Sequence, residues 1–142
     1  MVRGRTQPGA WVVSNCGQIA EGDVRMLVGK TLYSLYASLP PTWRVKSEAD
    51  AKRHFHLFMK MLGANVQAEE ASAFGYADAI VETKMAVYVF EFKFNKSVKA
   101  AIRQIREKGY ADAYKGGKRP VTLIGINFSS KKRNIDEPLI EA

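Results

Sequence analysis

Two charged residues end the strongest strand signal of the chain. Glu91 and Lys93 belong to the segment MAVYVFEFKF at 85–94, whose valines and aromatic residues are typical of a β-strand. Since side chains alternate across a strand, both lie on the face that also carries Val87 and Val89. A charge buried at the end of such an apolar row costs several kcal/mol unless it is paired or binds an ion. The alternative is a strand end that emerges into water with an exposed ion pair.

A second carboxylate, Asp78, lies in the preceding candidate strand at 76–82. If the two strands form a tight hairpin around 84–85, Asp78 stands opposite Glu91 on the same side of the sheet. Two facing carboxylates repel each other, so the pair is destabilising unless a cation lies between them. Carboxylate oxygens suit Mg²⁺, and Lys93 would then be close enough to orient a metal-bound water or to stabilise charge on a phosphate.

Helices and further strands must hold these charged groups in place. Apolar residues at helical spacing predict three helices, at 23–39, from Ser47 to Gly63, and from Ser97 to Gly109. Serine is a good N-cap, and glycine commonly ends a helix. Further strands are predicted at 65–71, 121–128 and 135–140. The order α, α, β, β, β, α, β, β predicts an α/β fold with a mixed central β-sheet flanked by helices.

Composition narrows the functional class. The chain has 142 residues and a formal net charge of +8, a balance that attracts polyanions such as nucleic acid unless the charge is merely solvated. Cys16 is the only cysteine, and His54 and His56 are the only histidines, which leaves too few ligands for a Cys/His zinc site. No apolar run approaches the roughly 20 residues that cross a bilayer, and no signal sequence opens the chain. We therefore expect a cytoplasmic protein with no membrane partner.

Four longer stretches resemble a known family. Asp78, followed thirteen residues later by Glu91-Phe92-Lys93, resembles the D…(E/D)xK signature of the PD-(D/E)XK nuclease superfamily. The stretches GYADAIVET, VYVFEFKFNKS, AAIRQIREKGYADAY and VTLIGINFSSKKRNI together resemble the PD-(D/E)XK domain at the C-terminus of bacterial proteins that carry an N-terminal AAA-type ATPase domain. The resemblance covers about residues 46–140. No Walker A loop is present, because KGGKRP lacks the GxxxxGK[ST] spacing.

The resemblance implies a role for each matching residue. The implied metal ligands are Asp78, Glu91 and the main-chain carbonyl of Phe92. The implied catalytic lysine is Lys93. Gln104 matches a recurrent glutamine in the helix after the lysine strand, and Glu48 matches a glutamate of the first core helix. Gln104 could equally cap a strand end, and Glu48 could simply be an acid that is favourable at a helix N-terminus.

Three other features are further candidates. Tyr110 matches a tyrosine of the family, although packing would explain it as well. The basic loops at 115–119 and 131–133 would suit phosphate contacts, whereas charged loops are often only solvated.

The sequence thus predicts an irregular leader at 1–22, a helical linker at 23–45 and an α/β, restriction-endonuclease-like nuclease domain at 46–142. The expected activity is hydrolysis of DNA phosphodiester bonds with Mg²⁺, with Mn²⁺ as the alternative metal. Possible partners besides DNA are an ATPase and a second copy of the chain. The rival interpretation is a non-catalytic module of the same fold, which binds nucleic acid or a partner and depends on or derives from an ATPase-linked protein.

Overall fold

A computed structural model describes residues 26–61, 66–72 and 75–142. A six-stranded mixed sheet forms its centre, with helices on both faces. The first five strands follow the order β1-β2-β3-β4-β5, and β6 pairs with β4 beside β5. The α/β fold with a mixed central sheet, predicted from the order of elements, is therefore confirmed. Among the described residues, no helix has the length and apolar character that crossing a membrane requires.

The strands are β1 (Val66–Ser72), β2 (Gly75–Glu82), β3 (Val87–Phe94), β4 (Val121–Ser129), β5 (Asn134–Ile135) and β6 (Leu139–Glu141). Neighbours β1, β2 and β3 are antiparallel, whereas β3 and β4 run parallel with Glu91 beside Gly125. A parallel pair needs a crossover connection, and α3 (Val98–Lys108) provides it. The ends of β3 and β4 therefore lie at the same edge of the molecule.

Helices α1 (Tyr33–Ala37) and α2 (Glu48–Met61) cover one face of the sheet, and α3 covers the other. A π-helical turn, Leu27–Leu32, leads into α1, and short 3-10 helices occupy Pro41–Trp43 and Asp112–Tyr114. On the first face the ring of Phe55 lies 4.8 Å from that of Phe90 and 4.9 Å from that of Phe92. These close aromatic contacts fix α2 against the strand that carries the candidate site.

Two helix caps follow the sequence prediction. The hydroxyl of Ser47 accepts a hydrogen bond from the main-chain N–H of Asp50, and that of Ser97 accepts one from Ala100. Gly109 ends α3 with a φ of 63°, a left-handed conformation that glycine adopts without steric cost. The start of α3, immediately after the Lys93 strand, is thereby held at a defined position.

Two predicted elements differ from the structure. The single edge strand at 135–140 is wrong, because its pairing with β4 is interrupted: Ile135 pairs with Phe128 but Leu139 pairs with Gly125, so the register shifts by one residue between them, and Pro138 has no N–H to donate. The described part of the first helix ends at Ala37, ahead of Pro40. The leader at 1–22, the start of that helix and the predicted end of α2 at Gly63 lie outside the described residues.

Gly125 allows α3 to approach the sheet next to Glu91. A Cβ atom at this position would lie 2.6 Å from the main-chain oxygen of Val98 and 3.1 Å from side-chain atoms of Ala101 and Ile102. Because the closest of these atoms belongs to the backbone, relief of the clash requires the start of α3 to move.

Gly125→Ala should lower the free energy of unfolding by about 1–3 kcal/mol, the usual cost of overpacking. Urea denaturation measures the change. Gly116→Ala is the matched control, because nothing lies within 4 Å of a Cβ atom added there. Equal stability of the two variants would show that α3 does not depend on this close approach.

Candidate active site

The main-chain ladder between β2 and β3 ends where the candidate residues lie. Its register is the one that the hairpin argument predicted, and its last pair is Ala79 with Phe90. One residue further, the side chain of Asp78 takes the place of a backbone partner, and its Oδ2 accepts a hydrogen bond from the N–H of Phe92 at 2.8 Å. The N–H and C=O of one strand residue lie on the same side. The carbonyl of Phe92 therefore also points toward the Asp78 strand.

Glu91 is a buried acid beside a second acid. Its residue exposure is 2% and its Oε1 has no hydrogen-bond partner among the described residues, while its carboxyl group contacts that of Asp78. Burial raises the pKa of Glu91 to about 8, the Asp78 carboxylate adds to the rise, and the Lys93 ammonium opposes it. At neutral pH, Glu91 therefore holds a proton while no cation lies beside it.

Lys93 is held by a short chain of polar groups. Its Nζ lies 3.9 Å from Oε2 of Glu91 and donates a hydrogen bond to Oε1 of Gln104 in α3. The side-chain nitrogen of Gln104 in turn donates to the hydroxyl oxygen of Tyr110 at 3.2 Å. The structure thus brings Gln104 and Tyr110 to Lys93, and their bonds fix where the ammonium group lies.

Lys52 of α2 is a residue at this site that the sequence analysis missed. Its Nζ donates to Oδ1 of Asp78 at 3.1 Å and lies 3.9 Å from Oε2 of Glu48. Burial works to lower the pKa of Lys52, but the Asp78 carboxylate outweighs it and holds the pKa above its usual value. Glu48 therefore contacts the site through Lys52. The i, i+4 spacing of Glu48 and Lys52 on one helix predicts their contact with each other but not the contact of Lys52 with Asp78.

The donor set fits a hard divalent cation. Oxygen ligands are available from Asp78, Glu91 and the Phe92 carbonyl, and the unpartnered Oε1 of Glu91 is a buried oxygen that a cation would satisfy. Among the described residues, no group of three or more His, Cys, Asp or Glu side chains could hold a metal ion. Two carboxylates completed by main-chain oxygen and water suit Mg²⁺, which usually retains several waters.

The sequence of this chain matches that of a known protein family. The family described as the PD-(D/E)XK nuclease superfamily matches residues 46–138, most of the described chain. The chain belongs to the PD-(D/E)XK nuclease superfamily. Asp78 on β2, and Glu91 and Lys93 on β3, all lie within the matched range.

One curated relative of this superfamily member is the "Uncharacterized protein in vnfD 5'region" of Azotobacter chroococcum mcd 1. The two are 31% identical over 121 residues, a match that covers 80% of this chain and 23% of the relative. The chain thus spans about a quarter of the length of that protein. No solved structure matches the chain.

The two basic loops of this PD-(D/E)XK chain lie at opposite ends of β4. The loop at 115–119 precedes the strand, and its Arg119 binds the carboxylate of Glu82 at 2.8 Å. The loop at 131–133 follows the strand and therefore lies at the same edge as Lys93, because β3 and β4 are parallel. Of the two loops, only 131–133 lies at the edge of the sheet where β3 ends with the Lys93 side chain.

Proposed function

We propose that this protein is a metal-dependent nuclease that hydrolyses phosphodiester bonds of DNA. The observation that carries the proposal is the contact of buried Glu91 with Asp78 at the end of the β2–β3 ladder, with the Lys93 ammonium beside them. A buried acid that contacts a second acid lowers the free energy of unfolding, so folding by itself does not explain the arrangement. Membership of a nuclease superfamily supports a hydrolytic role for the pair.

The proposed roles follow from the contacts. Asp78, Glu91 and the Phe92 carbonyl would hold Mg²⁺, with Mn²⁺ as the alternative metal. A divalent ion bound there would supply Lewis-acid polarisation of the phosphate and a more acidic water. Lys93, held by Gln104, would donate a hydrogen bond to that water or to a phosphate oxygen as negative charge develops. Cytoplasmic location and association with an ATPase or a second copy stay predictions from the sequence.

A direct assay tests the proposal. Purified protein should cleave supercoiled plasmid, linear duplex or single-stranded DNA with Mg²⁺ or Mn²⁺ and should stop when EDTA removes the metal. Asp78→Asn, which keeps the size of the side chain but removes its charge, is the matched inactive control. The same assay with RNA of the same sequence tests whether the protein prefers DNA as its substrate. If the wild type is inert on every substrate with every metal, the proposal is wrong. The alternative interpretation, a non-catalytic binding module that depends on an ATPase-linked protein, would then replace it.

Lys52 should compete with the metal for Asp78. Lys52→Gln removes a cation that lies 3.1 Å from Oδ1 of Asp78, so we expect Mg²⁺ or Mn²⁺ to bind severalfold more tightly because one repulsive charge is gone. Isothermal titration of metal into metal-free protein measures the affinity. Lys60→Gln, which removes an exposed charge from the far end of the same helix, controls for net charge. Weaker metal binding by Lys52→Gln would mean that Lys52 supports the metal site.

A further inference from the structure

The chain leaves β3 and β4 through two loops, and side-chain hydrogen bonds join these loops to each other. Nδ2 of Asn95 donates to Oγ of Ser130 at 2.9 Å, and the N–H of Ser130 donates to Oδ1 of Asn95 at 2.9 Å. Asn95 has a φ of 55°, in the left-handed region that asparagine tolerates better than most residues. The two loops therefore hold each other in place. We call these loops, 95–97 and 129–133, the rim.

A buried asparagine connects the rim to the candidate active site. Asn127 is 2% exposed, and the parallel register sets it beside Lys93. Both side chains lie on the face of the sheet that α3 covers, because side chains alternate along a strand and Val89, four residues before Lys93, packs beneath α3. Oδ1 of Asn127 accepts a hydrogen bond from the N–H of Lys96 at 2.9 Å, and its Nδ2 donates to Oδ2 of Asp136 at 2.8 Å. The main chain of Lys96 is thus held next to Lys93, on the same face of the sheet.

The rim carries two exposed lysines, Lys96 and Lys131. Neither forms an ion pair with any residue that the structure describes. Lys132, in contrast, is bound to Asp136 at 2.7 Å. A loop whose charges are merely solvated needs no fixed backbone, whereas the backbone of both rim loops is held by side-chain hydrogen bonds. Because that backbone is already ordered, an anion that binds the two lysines loses less affinity to the ordering of the loops.

The distance from Lys93 limits which part of a ligand the rim can contact. Lys96 follows Lys93 by three residues, so their Cα atoms are at most about 11 Å apart. Lys131 follows Ser130, which is bound to Asn95, and so belongs to the same edge. Successive phosphates of one DNA strand advance about 3.4 Å along the duplex axis. Both lysines can therefore contact a phosphate backbone that passes over Lys93.

We propose that Lys96 and Lys131 of the rim bind backbone phosphates of the nucleic acid within about three nucleotides of the cleaved bond. Ammonium groups bind phosphates as point charges, and contacts to phosphates position a nucleic acid without reading its sequence. The inference rests on the proposed nuclease function, and it names the part of the substrate that this surface holds. Binding through the rim should therefore depend strongly on salt and little on base sequence.

Binding without turnover tests this inference. Fluorescence anisotropy in EDTA measures the affinity of the protein for a labelled DNA duplex between roughly 50 and 200 mM salt. Lys96→Gln combined with Lys131→Gln should weaken binding about 10- to 100-fold at low salt and make the log–log salt slope less steep by about 1.8, at 0.9 per phosphate contact. A second duplex of unrelated sequence should give the same change. An unchanged slope in this variant would overturn the inference.

A matched control separates the rim from the general effect of net charge. Lys60→Gln combined with Lys84→Gln removes the same charge from exposed positions, one near the end of α2 and one in the turn at the opposite end of β3. This variant should keep nearly the wild-type slope. An equal change of slope in the control and in the rim variant would mean that only net charge matters, which would overturn the inference.

Asn95→Gly tests whether the contact between the two loops matters. Glycine tolerates the left-handed backbone of residue 95, and the variant keeps both lysines while it removes the hydrogen bonds to Ser130. We expect severalfold weaker binding with an unchanged salt slope, because the loops must then be ordered when DNA binds. Wild-type affinity in this variant would contradict the fixed rim.

Cleavage by the wild type separates this inference from the proposed function. If the wild type cleaves DNA but the rim variant keeps the wild-type slope, the inference alone is wrong. Failure of the wild type to cleave, with the expected change of slope in the rim variant, would instead count against the proposed nuclease function alone.

Discussion

Lys93→Ala should slow DNA cleavage by about 10²- to 10⁴-fold, the range for loss of a positioned proton donor or charge stabiliser. Metal affinity should be retained or higher, because Nζ of Lys93 lies 3.9 Å from Oε2 of Glu91 and opposes a cation there. Asp78→Ala, in contrast, should lose both cleavage and metal binding, since it removes a proposed ligand. The two variants therefore separate turnover from metal binding.

Single-turnover cleavage and calorimetric metal titration measure the two quantities. Gln104→Leu should lower the rate by a smaller factor, about tenfold, because it removes only the group that fixes the ammonium. Lys84→Ala, in the exposed turn between β2 and β3, is the control for loss of a lysine. Wild-type rates in Lys93→Ala would remove Lys93 from the reaction and leave its contact with Gln104 as a packing feature.

Glu91→Gln should stabilise the metal-free protein, and the gain should grow as the pH rises. Glutamine resembles the protonated acid, fits the same buried position and can donate a hydrogen bond to Asp78 as the protonated acid does. The pKa of Glu91 is about 8 in the fold, against an ordinary 4.5, so the folded protein holds a proton that the unfolded chain has lost. The wild type therefore loses stability from this group between pH 4.5 and pH 8.

The gain for Glu91→Gln should be near zero below pH 4.5 and reach about 4–5 kcal/mol at pH 8, at roughly 1.4 kcal/mol per pKa unit. Urea denaturation in EDTA across this pH range measures it. Glu107→Gln, on the exposed face of α3, should show no such trend. A gain that does not vary with pH would mean that the carboxyl group of Glu91 is ionised in the folded protein.

Local sequence patterns were enough to predict the strands and helix starts that position the candidate site. A tight turn between β2 and β3 implies the hairpin register that the structure has, and this register sets Asp78 next to Glu91. The caps at Ser47 and Ser97 depend only on nearby backbone groups. Alternation along β3 likewise indicated that Glu91 shares a face with Val89, which lies in the core beneath α3.

Those local patterns could not predict contacts between distant parts of the chain. Lys52 reaches Asp78 across 26 positions of sequence, and only the packing of α2 on the sheet brings them together. An i, i+4 pair such as Glu48 and Lys52 is common on solvated helices and by itself indicates no site. The division of the last strand comes with a one-residue change of register on β4, between the Phe128–Ile135 and Gly125–Leu139 pairs, which periodicity does not encode. Roles for Asp78, Glu91, Lys93, Gln104 and Glu48 stay predictions that the variants above test.

The hydrogen bond from Phe92 N–H to Asp78 makes one backbone amide a spectroscopic probe of the resting protein. Most amides of β3 are bound by carbonyls of neighbouring strands, whereas this one is bound by a carboxylate oxygen. Its nitrogen–proton resonance and its hydrogen-exchange rate therefore depend on where that carboxylate points. A cation that draws Asp78 toward itself would shift the Phe92 signal in an NMR titration. Occupancy of the site can thus be followed at a single nucleus, without DNA and without turnover.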